Sequence, residues 1–142
     1  MGYLSTADGE IEVIPIPVTS DRLSEWIGEL KAKRDEITKN GSFRCSFGLE
    51  PRLFTHGDRD QTFIVGFTPL QPYDQISRYY VRAELLAIAD CCSNYNPNGV
   101  ITVIGEDVTI TDNRVCNAQR YVLADGKVTE QKAIVQWQDV TD

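Results

Sequence analysis

The spacing of apolar and polar residues divides the chain into strands and two helices. Glu10-Ile11-Glu12-Val13 alternates acid with aliphatic, the pattern of a strand with one buried and one wet face. Gly9 to Pro17 is therefore expected to be a strand stopped by Pro15 and Pro17, which cannot donate to a ladder. Leu23, Trp26, Ile27, Leu30 and Ile37 then return at helical spacing, behind the cap candidates Thr19, Ser20 and Asp21. Asn40-Gly41 offers the stop, Trp26 reads as a core anchor, and the basic residues from Lys31 to Arg34 read as a solvated face. Phe43, Cys45, Phe47 and Leu49 alternate, as do Phe63, Val65 and Phe67, giving two strands with inner faces so defined. Glu50 to Gln61 is expected to be a long loop between them.

A second helix is expected from Gln75 to Ser93, capped by Asp74. It carries one apolar row of Ile76, Tyr80, Ala83 and Ala87 and another of Val81, Leu85, Ile88 and Cys92. So wide an apolar face suits a helix laid across a sheet. The last third reads as a strand from Val100 to Ile104, a polar link Gly105-Glu106-Asp107, and a hairpin pairing Asn113–Ala124 with Lys127–Trp137. Asp125-Gly126 supplies the positive φ angles of its tight turn. The expectation is one α+β domain, residues 1–142: a β-α-β-β-α-β core of ferredoxin-like order with a C-terminal β-hairpin. Both helices should lie on one face of an antiparallel or mixed sheet.

Composition narrows the partners more than it names them. A net charge of −7 and a pI near 4.7 argue against direct nucleic-acid binding and against anionic membrane surfaces, both of which need concentrated basic charge. No apolar run reaches the length of a membrane span and the N-terminus lacks a signal peptide's pattern, so a cytoplasmic protein is expected. Cys45, Cys91, Cys92 and Cys116 lack zinc-ribbon spacing and are expected to be reduced thiols packed as small apolar residues.

Candidate chemistry is sparse. The single histidine, His56, shares its segment with Asp58, Arg59 and Asp60, an exposed binding candidate. Glu106, Asp107 and Asp112 form an acidic turn, and Asp8, Glu10 and Glu12 a second acidic row. Asp58-Arg59-Asp60 offers too few oxygens for a hard cation, so no metal is expected. Phosphate-loop, dinucleotide and hydrolase motifs are absent, so neither a cofactor nor a catalytic set is expected. Three functions fit: a protein-binding module, an acidic inhibitor imitating nucleic acid in a basic groove, or a small enzyme built on His56. Long hairpin strands also leave an edge that a homodimer could cover.

Both ends of the chain resemble an uncharacterised family of small actinobacterial and actinophage proteins. Gly2-Tyr3, the Gly9-Glu10-Ile11 strand and the proline pair match its opening; Gly105-Glu106, Asp125-Gly126 and Val135-Gln136-Trp137 match its close. Gln119-Arg120 stands where that family has Trp-Arg, and Gln138-Asp139 lacks its proline. The resemblance implies a phage-encoded or phage-related accessory protein in a bacterial host cytoplasm. It would bind a host protein, with slowed host growth as one outcome.

Overall fold

In a computed structural model, which describes residues 4–39, 47–57, 61–70, 73–74 and 80–141, strand β1 (Leu4–Val18) serves two half-sheets. Its first half, Ser5 to Glu12, pairs with β5 (Asn98–Thr111), and its second half, Ile11 to Val18, pairs with β3 (Gln61–Pro69). β2 (Leu49–His56) lies outside β3. β6 (Arg114–Ala124) and β7 (Lys127–Ile134) continue the sheet beyond β5. The order is β2-β3-β1-β5-β6-β7, every pairing is antiparallel, and a two-residue strand β4 (Tyr73–Asp74) pairs with Leu4 and Ser5 of β1. Helix α1 (Ser20–Thr38) joins β1 to β2, and α2 (Val81–Cys91) lies between β4 and β5. The fold is thus α+β, with two α-helices and an antiparallel sheet among the described residues.

One core cluster holds inward residues of the sheet (Ala7, Ile11, Ile64, Phe67, Ile101, Val103, Tyr121, Leu123) with Leu30 of α1 and Leu85 and Ile88 of α2. Both helices therefore cover the same face. Leu23, Trp26 and Ile37 pack against this core as their spacing predicts, whereas Ile27 is exposed. No helix among the described residues is long and apolar enough to cross a membrane.

The prolines do not end β1. β5 stops pairing at Glu12, so Val13 to Val18 keep a ladder on the β3 side alone, where an edge strand tolerates a missing N–H. A bulge between Glu12 and Ile16 returns Ile16 and Val18 to the core beside Ile11 and Val13. At the β1–β5 crossing, a Cβ on Gly9 (φ +120°) would stand 2.0 Å from the Val100 carbonyl oxygen. One on Gly99 (φ +156°) would stand 2.0 Å from that of Glu10. Only glycine allows the two backbones this close.

Several expectations need correction. Glu50 to His56 is not loop but most of β2, with Gly57 at φ +20° opening the turn to β3. An edge strand needs no apolar alternation, and Pro51 disguises it further. Residues 40–46 lie outside those described, and with them most of the strand expected from Phe43 to Leu49. Phe47 itself is buried. A bulge opposite Arg52 and Leu53 turns Ile64 inward, so Ile64 and Phe67 are fully buried while Phe63 and Val65 are half-buried. Asp74 sits in β4 rather than capping α2, and Ser93–Tyr95 is a short 3-10 turn. Residues 75–79 lie outside those described. Gly105-Glu106-Asp107 is no link, because β5 runs through it. β7 ends at Ile134, leaving Trp137 beyond the strand. Asp125 and Gly126, at φ 53° and 74°, form the expected turn.

The largest departure is Arg34, expected in solvent but 1% exposed, against Glu84 of α2, which is 0% exposed. Arg34 Nη1 stands 3.5 Å from Glu84 Oε2, and Nε stands 3.2 Å from Asp35 Oδ1. The guanidinium carbon is 5.8 Å from the Phe47 ring centre and 6.0 Å from that of Tyr80, a cation–π contact with each ring. The backbone N–H of Gly48 donates to Glu84 Oε2, while the Gly48 carbonyl accepts from Leu70 N–H at 2.9 Å. One ion pair thus joins α1, α2 and the entry to β2.

Removing one member of a buried pair leaves an unpaired charge and costs about 3–5 kcal/mol. Arg34→Met should therefore lower stability by that amount in urea unfolding. Arg34→Met with Glu84→Gln should recover part of it, because no charge stays buried and the glutamine carbonyl still accepts from Gly48. A loss below about 1 kcal/mol for Arg34→Met would show that the pair does not join the elements as described.

Candidate functional site

β5 runs on past the start of the strand it leans on. Ser5 of β1 pairs with Gly105, and from Glu106 onward β5 continues with β6 as its strand partner, out to Thr111 opposite Arg114. The result is a hairpin arm projecting past the N-terminal end of β1. Its tip is a two-residue turn, Asp112-Asn113, with φ 50° and 63°, a conformation that Asp and Asn tolerate better than other side chains.

At the base of the arm, four residues of β5 (Gly105 to Val108) face Asn117 alone, which takes φ 61°. The Asn117 side-chain N–H donates to Asp107 Oδ1 at 2.7 Å, so this carboxylate braces the bulge. A similar mismatch opens β6 from β7: four residues, Val115 to Ala118, face Ala133. The groove left there, about 550 Å³, is lined by Arg114, Cys116, Lys132 and Ile134 among others. After β7 the chain turns back to the tip, where Val135 N–H donates to the Asn113 carbonyl at 2.8 Å. The Trp137 indole N–H donates to Asn113 Oδ1 at 3.3 Å.

This end of the molecule is apolar and uncovered. Val108 is 45% exposed, Ile110 66% and Trp137 83%. Val108 and Ile110 alternate with threonines, on one face of β5, and are bounded by Glu106, Asp107 and Asp112. Burying a side chain of this size contributes roughly 1.5–3 kcal/mol, so leaving several in water at one tip forgoes a stabilisation comparable to a marginal fold. An apolar stripe with a charged rim is the anatomy of a protein contact surface.

The candidate residues divide between two ends of the sheet. Glu106, Asp107 and Asp112 belong to the arm. His56 pairs with Gln61 at the other end, near Val18, and the strand run from Ser5 to Val18 spans on the order of 40 Å. His56 is exposed, with its ring edge-on to Phe54 at 6.4 Å. Asp58, Arg59 and Asp60 lie outside the described residues. A groove beside this end, lined by Val18, Arg22, Gln61, Thr62 and Phe63, does not include His56. The row Asp8, Glu10, Glu12 lies on the sheet face opposite α1 and α2, where Arg52 Nη1 meets Glu10 Oε2 at 2.9 Å and offsets part of its charge. No group of three metal-ligating side chains occurs among the described residues.

Sequence reasoning missed Val108, Ile110 and Trp137 as surface. The alternation Val108-Thr109-Ile110-Thr111 was the available signal for the first two, masked by the polar residues before it. Compared with protein-family models, curated proteins and solved structures, the chain matches none.

The thiols sort by environment. Cys92 is fully buried in the core, and burial, with Cys91 beside it, pushes its pKa up to about 12. Burial also raises Cys91, with Asp90 and Glu29 adding to the effect and Lys33 opposing it. Cys116 is exposed on the arm. Since the thiolate is the nucleophile, iodoacetamide at mildly alkaline pH should modify Cys116 first, Cys91 slowly, and Cys92 only after unfolding. Mass spectrometry of timed digests reads that order directly; early labelling of Cys92 in native protein would contradict its placement.

Proposed function

We propose that the chain is a protein-binding module whose contact surface is the projecting arm. The observation that carries this reading is the exposed stripe of Val108 and Ile110, with Trp137 held at the same tip, inside an acidic rim. The complementary partner surface is an apolar cleft bordered by lysine or arginine. Apolar contact supplies the affinity, while Glu106 and Asp112 steer the approach. Asp107, engaged with Asn117, holds the arm's shape.

The resemblance noted in the sequence supplies a setting for the same reading: a phage-related accessory protein directed at a host component in the bacterial cytoplasm. We also read β1-α1-β2-β3-α2-β5 as a ferredoxin-like core. Its support is the placement of β3 between β1 and β2, and of β1 between β3 and β5. On that reading β6 and β7 are the addition that builds the arm. The alternative of an acidic nucleic-acid mimic draws on Asp8, Glu10 and Glu12 along the face opposite α1 and α2.

Tagged wild-type protein and an Ile110→Asp variant, each used to capture partners from bacterial lysate, separate these readings. The arm reading expects one stoichiometric partner that stays bound in 1 M salt, where the Debye length is about 3 Å. Ile110→Asp, at an exposed position, should leave the circular dichroism spectrum unchanged and weaken that partner's affinity about 30-fold or more, as for an interface hot spot. A partner released by salt and indifferent to Ile110→Asp would favour the acidic mimic instead.

A further inference from the structure

We propose that two copies of the chain pair antiparallel through β7, in a register centred on Gln131. The two outer strands of the sheet differ in kind. β2 carries Pro51, which has no N–H to donate and spoils an edge for pairing. β7 has no proline, runs in unbroken register from Lys127 to Lys132, and has no strand on its outer side among the described residues.

Hydrogen-bond parity restricts what such an edge can accept. The two-residue turn Asp125-Gly126 makes Ala124 and Lys127 a hydrogen-bonded pair, after which pairs alternate. Val128, Glu130 and Lys132 therefore present their N–H and C=O groups outward; past the mismatch at Ala133, the Val135 N–H still points inward to the Asn113 carbonyl, which leaves Ile134 outward as well. A second β7 can bond only if outward residues meet outward residues. Two-fold registers centred between residues fail this condition, and those centred on a residue satisfy it.

Charge then selects among the allowed registers. Centring on Glu130 sets Glu130 against its own copy, and centring on Lys132 sets Lys132 against its own copy; like charges directly opposite are destabilising. Centring on Gln131 sets Glu130 opposite the second copy's Lys132, twice by symmetry. It also sets Val128 opposite Ile134, again twice. Glu130, Lys132 and Ile134 are exposed and Val128 is half-buried, so the first three are free to meet a partner. The outward row is thus complementary to its own reverse, which is what an isologous contact requires. Antiparallel pairing also sends the two arm tips to opposite ends. A single strand pair buries less than a standard interface, so the dimer is expected to be weak, with a Kd roughly micromolar.

Light scattering during size-exclusion chromatography of the full chain, over a range of concentrations, tests this with charge exchanges at exposed positions. Wild type should shift from monomer to dimer as concentration rises. Glu130→Lys alone and Lys132→Glu alone should each weaken the dimer at least tenfold, because each creates two like-charge pairs. Mixing the two single variants should restore a dimer, since both pairs between positions 130 and 132 in the mixed species are again opposite in charge. Circular dichroism of each variant checks that the fold is retained. Wild type monomeric throughout, a dimer indifferent to both exchanges, or variants that fail to associate on mixing would each overturn the proposal.

Discussion

The arrangement of this protein depends on a charge buried between its two helices. Arg34 and Glu84 are both closed off from solvent, and desolvating either alone would cost several kcal/mol. Each is kept there by the other and by further partners: Asp35, Phe47 and Tyr80 around the guanidinium, Gly48 N–H on the carboxylate. Because Gly48 leads directly into β2, the pair fixes more than the crossing of α1 on α2. It sets where the chain re-enters the sheet after α1, and so places β2 on the outer side of β3. A hydrophobic contact of equal area would hold the helices together with less demand on their register, since apolar burial is non-directional. The ion pair accepts few geometries.

From that fixed end the rest of the sheet follows through β1. Its two halves pair on opposite sides with different partners, so the β2–β3 hairpin and the β5–β6–β7 group are displaced along it in opposite directions. The stagger depends on the close crossing at Gly9 and Gly99 and on the bulge that returns Ile16 to the core. Its functional consequence is that β5 must outrun β1. Neither α1 nor α2 lies over the overhanging part among the described residues, and Val108 and Ile110 stay in water although their pattern is that of ordinary strand residues.

What could be read from the chain beforehand follows the range of the interactions involved. The β6–β7 hairpin was legible because Asp125-Gly126 encodes its own turn, and α1 because its apolar stripe repeats within a few residues. Arg34 was not, since nothing within one turn distinguishes it from Lys31 or Lys33; the reason for its burial is Glu84, far along the chain. β2 was hidden because an edge strand has two nearly solvated faces, and Pro51 reads as a loop residue. β5 was cut short because Gly105-Glu106-Asp107 is turn-like in isolation; Gly105 is held by Ser5 of β1, Asp107 by the Asn117 side chain, and the ladder with β6 resumes only at Thr109. Of the candidate site, the acids were visible as charges, but not the apolar residues they border or their separation from His56.

The two surfaces described here place opposite demands on charge. A chain of net charge −7 repels its own copy at long range, so self-association through β7 gains nothing from steering and must rely on contacts at the edge itself. There the Glu130–Lys132 pairs are exposed and each is worth less than about 1 kcal/mol. Their effect is to reject the neighbouring registers rather than to hold the dimer. For the proposed arm contact the same negative charge would be an advantage, because it would draw in a partner with a basic rim before the apolar stripe made contact. One charge distribution can therefore keep copies of the chain apart at low concentration while favouring a partner of the opposite sign. On that asymmetry the proposed arm contact would be the stronger of the two proposed contacts.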